Sequence, residues 1–303
     1  MSAVALLVVC GSPATGDTGH DNDGAGELRI VTLSPHLAEL VYTVGAGDLL
    51  VGVSAYTDYP QAATRLPVVG DAFNLDLEQL ALLEPDILLA WETGTPAHVL
   101  DVLRNRGYRV ETVKTTSLDD VADALLRIGS LTGHSSAAAA AAADFREGLA
   151  QIAKAHADAE PITVFYQVSA RPLYTVNGKH FVSELVNLCG GVNIFADLGG
   201  LAPAISVEAV LDRDPEVVLA STDAGESVFD EWDRWTDMAA NRYGNRFMMP
   251  ANDIARPTPR LLIAAKALCD ALDEGRRNRR RVLSPCAPSR FPGRIRCAPA
   301  PVR

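Results

Sequence analysis

Two patterns alternate along the chain. Short, largely apolar runs at 29–33, 51–53, 87–90, 109–113 and 162–168 read as strands. Between them, apolar residues return every three or four positions. Leu37, Leu40, Val41 and Val44 mark one helix, with Pro35 in its first turn and Gly45 as its stop. Further helices are predicted over 99–106 and 118–131, and a last one from Leu261 to Leu272. Strands apolar on both faces and separated by helices belong to parallel sheets covered on both sides. The run at 51–53 delivers the loop Ser54-Ala-Tyr-Thr-Asp-Tyr-Pro60, aromatic and polar, at the strand end where open α/β sheets place their ligands.

One stretch of this pattern is nearly written twice. Glu78-Gln-Leu-Ala-Leu-Leu-Glu-Pro-Asp-Ile-Leu-Leu-Ala90 is matched by Glu208-Ala-Val-Leu-Asp-Arg-Asp-Pro-Glu-Val-Val-Leu-Ala220. Each copy predicts a helix beginning beside a glutamate, stopped by a proline that cannot donate to the helical ladder, then a buried strand. A repeat of this kind predicts two similar α/β lobes, and ligands favour clefts between domains. From Ser135 to Ala159 the chain is dominated by alanine, with Gly148 the only glycine and no proline. That composition predicts one continuous helix of about 37 Å at 1.5 Å per residue, a strut between the lobes. The expected architecture is two Rossmann-like α/β lobes, 27–132 and 161–274, joined by one long rigid helix within 133–160, with a ligand cleft between them.

Charge refines the ends. The chain has 303 residues and a net charge of −11, but from Gly275 onward it carries nine arginines and no acid, so the body before it carries −20. A body so acidic repels nucleic acid. The segment 275–303, rich in Arg, Pro and Ser, is predicted to be disordered. No apolar run reaches the ~20 residues that span a bilayer. Residues 2–9 are apolar and end at Cys10, and Gly, Ser, Asp, Thr and Asn dominate to Gly26. This is the outline of a clipped signal peptide, a cysteine available for lipid attachment and a flexible tether over 1–26.

Chemistry is sparse. There is no Gly-x-Ser-x-Gly, no phosphate loop, no His-Glu-x-x-His and no Gly-x-Gly-x-x-Gly after a strand. The six histidines, at 20, 36, 98, 134, 156 and 180, do not pair at i, i+4, and no Cys-x-x-Cys or His/Cys cluster predicts a metal site. His180 adjoins the suspected cleft. Cys189 and Cys269 fall inside the predicted fold; an exported chain can pair them, and otherwise they are two buried thiols.

The motifs taken in order resemble the periplasmic cobalamin-binding proteins of ABC importers. They are Ser34-Pro35, Val51-Gly-Val-Ser-x-Tyr-x-Asp-Tyr-Pro60, Leu77-Glu-x-Leu80 with Pro85-Asp86 and Ala90-Trp91, Cys189-Gly-Gly-x-Asn-Ile-Phe195, Ser206-x-Glu208, and Arg256-x-x-Pro-Arg260. The resemblance covers 28–274. It implies a binding protein rather than an enzyme, exported to the periplasm or cell surface and expected to be a monomer. It would capture a corrinoid between its lobes as cargo, without a resident cofactor, and deliver it to the membrane-spanning subunits of an importer. The wider family also serves haem and ferric siderophores, for which Tyr56, Tyr59 or His180 would be the iron contacts. A metal-dependent enzyme on a two-lobed α/β fold is the remote alternative.

The resemblance implies ligand contacts at Tyr56 and Trp91 and in the loop Asn252–Arg256. Asp58, Tyr59, Phe73, Tyr174, Asn252, Asp253 and Arg256 complete the predicted ligand set with them. A flat, bulky ligand suits aromatic faces with polar tips. Relatives place further tryptophans where this chain has Ala72 and Ala202, so a roomier pocket is expected. The resemblance also implies importer docking by Glu78 and Glu208 and a disulfide between Cys189 and Cys269.

Overall fold

The computed structural model describes residues 27–284, 286–288 and 295–297. The apolar leader and Cys10 lie outside the described residues. The first lobe runs β1 (Ile30–Thr32), α1 (Pro35–Thr43), β2 (Leu50–Gly52), α2 (Leu77–Leu82), β3 (Ile87–Trp91), α3 (Ala97–Asn105), β4 (Val110–Val113) and α4 (Leu118–Thr132). Its sheet is parallel with order β2-β1-β3-β4. The buried strand positions follow from the apolar runs: every residue of β1 and the first four of β3 are buried. α1 starts with Pro35 at its first position, and Gly45 leaves it at φ +80°, a conformation open to glycine. α4 begins in a reciprocal capping box of Ser117 and Asp120 and ends at Gly133 in the left-handed conformation.

α5 (Ser135–Ala155) carries the chain from the first lobe to the second. Its buried stripe, Ala138, Ala142, Phe145 and Ile152, packs in a core cluster that takes residues from both lobes. Small residues set its distances. A Cβ on Gly129 of α4 would sit 2.2 Å from the Ala138 Cβ, so the bare glycine lets α4 and α5 close together. The helix ends four residues before the predicted Ala159, at about 31 Å. Its last turn closes locally, with the His156 backbone N–H and ring nitrogen Nδ1 both bonding the Ile152 carbonyl, and a tertiary contact then redirects the chain: Arg276 holds the Glu160 carbonyl at 2.6 Å ahead of the next strand.

The second lobe contains β5 (Ile162–Gln167), the hairpin β6 (Ser169–Ala170) and β7 (Leu173–Tyr174), α6 (Phe181–Leu188), β8 (Gly191–Asn193), α7 (Val207–Arg213), β9 (Val217–Ser221), α8 (Ala239–Tyr243), β10 (Arg246–Met249), α9 (Ala251–Ile254) and α10 (Leu261–Leu283). Its four-stranded sheet, order β10-β9-β5-β8, is also parallel and repeats the connectivity of the first. The Cys189 and Cys269 sulfurs are bonded, 1.98 Å apart, tying the end of α6 to α10. A two-stranded antiparallel ribbon pairs β11 (Cys286–Pro288) with β12 (Ile295–Cys297).

The prediction of disorder from Gly275 is corrected by α10, which continues to Leu283. Arg276 and Arg279, three positions apart, turn onto one helical face and are buried at 3% and 9% exposure. Arg276 donates to the Cys189 carbonyl at 2.7 Å, and Arg279 bonds Glu216 at 2.8 Å and the Pro161 carbonyl at 3.1 Å. Their charges are spent on carbonyls and carboxylates of the second lobe, a role that composition alone conceals.

Candidate ligand cleft and the lobe seam

At the C-terminal edge of the first sheet lies a cavity of about 540 Å³, lined by Leu33, Ser34, Pro35, Ser54, Ala55, Tyr56, Asp71, Ala72, Phe73, Trp91, Gly94 and Thr95. Three of the predicted ligand residues meet here. Tyr56 and Phe73 leave 81% and 72% of their surface in solvent, an exposure that large aromatic rings adopt when a partner is expected to cover them. Tyr56 also stands at φ +64°, a left-handed conformation that costs a bulky residue energy unless neighbours hold it. Phe73 is fixed by a turn in which Asp71 accepts from the Phe73 and Asn74 backbone N–H groups, each at 2.8 Å; the same bonds hold the Asp71 carboxyl below its usual range. Ala72 lines the cavity between them, leaving the space that a larger side chain would fill.

Trp91 is the last residue of β3, carried to the cavity by the buried strand before it. Its backbone N–H donates to the Thr95 hydroxyl at 3.1 Å, and the edge-on His36 ring lies 5.0 Å from it. A Cβ on Gly94 would come within 1.8 Å of the Trp91 ring, so glycine is required beneath it. His36 is buried, pairs with the Ser34 hydroxyl at 2.8 Å, and is pushed down to about 3 by burial and then by the Arg256 charge. The histidine is thus a neutral support for the tryptophan, a role its isolated position in the sequence conceals.

Asp58, Tyr59, Asp253 and Arg256 are placed differently, in a charged cluster where the lobes meet. Arg256 bonds Asp58, the Glu39 carboxylate at 3.2 Å and the Tyr56 carbonyl at 3.2 Å, all three from the first lobe. Arg260 approaches Glu39 at 3.5 Å, pairs with Asp253 at 2.6 Å, and lies 4.8 Å over the Tyr59 ring. Glu39, on α1, is 2% exposed; burial pushes its carboxyl up, and the two guanidinium groups oppose that shift. The sequence points to neither Glu39 nor Arg260 as a site residue. A buried acid in an otherwise apolar helix face was the signal for the first.

Asn252 is exposed on α9, and Tyr174 sits in β7, bridging Ala204. Neither lines the aromatic cavity. His180 caps α6, its Nδ1 accepting from the Val182 N–H at 3.2 Å, and burial lowers it to about 4. A second cavity, of about 750 Å³, opens beside the end of β5, lined among others by Arg171, Asp223, Asp230 and Glu231. It mixes charged with small aliphatic side chains and lacks aromatic rings, so the first cavity is the better fit for a large, partly apolar ligand. Among the described residues no group of three or more His, Cys, Asp or Glu is arranged to hold a metal ion, and no helix is long and apolar enough to cross a membrane.

Glu78 and Glu208 are both exposed, each the second residue of its helix. Asp76 caps the first helix by accepting from Glu78 and Gln79, and Ser206 caps the second by accepting from Ala209 at 3.2 Å. The backbone N–H at the helix start, and then the bond from Ser206, hold the Glu208 carboxyl below its usual range.

Comparison with known proteins places the chain in a family. The chain is 36% identical over 245 residues to the vitamin B12-binding protein of Vibrio cholerae, covering 80% of this chain and 88% of that one. The crystal structure of periplasmic vitamin B12 binding protein BtuF of Vibrio cholerae superposes with a TM-score of 0.74 at 35% identity, covering 82% of this chain and 97% of that one. The periplasmic heme-binding protein RhuT of Roseiflexus sp. RS-1, at 22% identity and a TM-score of 0.73 over 82% of this chain and 100% of that one, shares the fold. The family model described as "Periplasmic binding protein" matches residues 30–252, and the chain belongs to that family.

Proposed function

We propose that the protein is an extracytoplasmic binding protein that captures cobalamin or a related corrinoid in the cleft and delivers it to the membrane-spanning subunits of an ABC importer. The observation that carries this reading is the juxtaposition of Tyr56, Phe73 and Trp91 around one cavity, in a chain similar over four-fifths of its length to vitamin B12-binding proteins. A corrinoid presents a broad, partly apolar face fringed with amides. Exposed aromatic rings cover such a face at low entropic cost, and the Tyr56 hydroxyl can orient it. Binding alone meets the task, so no catalytic group is needed; cobalamin is cargo, not a cofactor. Export with tethering through Cys10 would place the protein where its importer collects ligand.

Docking belongs to the same proposal. Glu78 and Glu208 stand at equivalent, exposed helix starts of two similar lobes, where they can meet arginines related by the two-fold symmetry of a dimeric membrane partner. The direct test is spectroscopic. Purified protein is incubated separately with cyanocobalamin, haemin and a ferric siderophore, desalted, and its visible spectrum recorded. The corrinoid spectrum should stay with the protein in equimolar amount; retention of haemin or siderophore in its place overturns the reading.

A further inference from the structure

The lobes are joined at two seams of different kinds. On one, backbone dominates: Phe181 N–H donates to the Thr116 carbonyl at 2.8 Å, and Leu118 N–H to the Glu184 carboxylate at 2.7 Å. α5 and the core cluster shared by both lobes add to this seam. On the other, two arginines of the second lobe converge on a buried acid of the first, and they do so beside the loop that carries Tyr56.

We propose that Glu39 is a positioning residue for the ligand site, anchoring Arg256 and Arg260 so that they clamp the Tyr56–Tyr59 loop in the conformation that presents Tyr56 to the cavity. Each contact has a separate part in this. Arg256 takes the Tyr56 carbonyl and the Asp58 carboxylate, the two points that fix the loop's path on either side of Thr57. Arg260 covers the Tyr59 ring, which fixes the loop's far end. Tyr56 itself sits in a left-handed conformation that a tyrosine leaves readily when nothing opposes it, so the loop's shape depends on such restraint.

Glu39 is the common partner. At 2% exposure it is far less hydrated than Asp58, whose side chain is 44% exposed, so its contact with the two guanidinium groups is the less screened. Without that carboxylate, two partly buried cations would lie side by side on the second lobe with only Asp58 and Asp253 as partners, and their mutual repulsion would drive the guanidinium groups toward solvent and off the loop. The arginines would then be loop holders rather than ligand contacts. Glu39 touches no ligand; it acts through them.

The affinity arm of the test rests on the corrinoid reading, whereas the exchange arm does not. In the ligand-free protein, hydrogen exchange of 54–60 and 255–260 should rise at least about tenfold in Glu39→Gln, while β1 and β3 keep the parent's protection. The dissociation constant for cyanocobalamin should rise about tenfold or more. In the double variant with Arg256→Gln, it should be within about twofold of the weaker single variant, because both changes release one clamp. A merely structural Glu39 would instead lower the melting temperature and loosen α1 and β1 with the loop unchanged, or its effect would multiply with that of Arg256→Gln. Either result overturns the proposal. Should Glu39→Gln fail to fold, Asp58→Asn carries the test, since its half-exposed side chain is dispensable to the core: unchanged exchange at 54–60 in that variant refutes the clamp. If the parent binds no cobalamin, the functional reading fails, and the exchange comparison still decides for or against the clamp.

Discussion

The two lobes share a repeated unit whose two copies diverge at the strand end that meets the ligand cavity. α2–β3 and α7–β9 are the repeated unit, and the match extends to the backbone: Glu84 and Asp214, each before a proline, both stand at φ +39°. The residue after each proline is also used alike. Asp86 accepts from the Arg29 N–H at 2.8 Å and Glu216 from the Thr163 N–H at 3.0 Å, so each carboxylate pins the neighbouring central strand. Both strands then run buried to their last position. There the first lobe has Trp91, which faces the aromatic cavity, and the second has Ser221, buried at 3% exposure. The scaffold is held constant by packing and hydrogen bonding, while the last strand position is free to take up binding. One lobe carries the aromatic wall, and the other supplies the arginines that shape it.

The largest difference to probe is the disulfide, which only the second lobe has. It closes a separation of 80 residues, and reducing it should cost about 2–5 kcal/mol of stability. Denaturant titrations with and without reductant check this, and equal midpoints would mean that packing alone holds α6 on α10.

The first lobe has its own weak point in acid. His36 takes up a proton in the unfolded chain below its ordinary value of 6.5, but in the folded protein only near 3. Stability should therefore fall as pH drops through that window, by up to about 1.4 kcal/mol per pH unit from this group. His36→Gln should flatten the slope between pH 6.5 and 4 in urea titrations; an unchanged slope would assign acid sensitivity to other groups.

The divergent strand ends give a direct contrast in binding. Trp91→Ala and Tyr56→Ala should each weaken corrinoid affinity by roughly 1 to 3 kcal/mol, whereas Ser221→Ala should leave it within about 0.5 kcal/mol. Calorimetry of the three variants decides, and a loss at Ser221 equal to that at Trp91 would show that both lobes contribute walls.

The smallest expected effect on the isolated protein is at the paired glutamates, where the lobes are most alike. Glu78→Lys and Glu208→Lys should change stability by about 0.3 to 1 kcal/mol through the helix ends and leave ligand affinity intact, yet each should slow uptake, the double variant most. Normal uptake in all three would reduce the pair to helix-end charges.

Sequence alone determined the lobes, because apolar periodicity, proline stops and an alanine run act within a few residues of one another. It also marked the loop that carries Tyr56, by its place at a strand's C-terminal end, whereas ligand contact by Tyr56 and Trp91 was implied by the resemblance to periplasmic cobalamin-binding proteins. The path of the chain after α5 and the course of α10 were decided by tertiary contacts. Arg276 and Arg279 read as tail charges until a helical face brings them against Glu160, Glu216 and the Cys189 carbonyl. The clamp was equally hidden: Glu39 and Arg256 are 217 positions apart, and no local pattern pairs an acid on one helix with an arginine in a distant loop. Local order follows from neighbouring residues, whereas a buried charge is tolerated only where the folded chain delivers its partner.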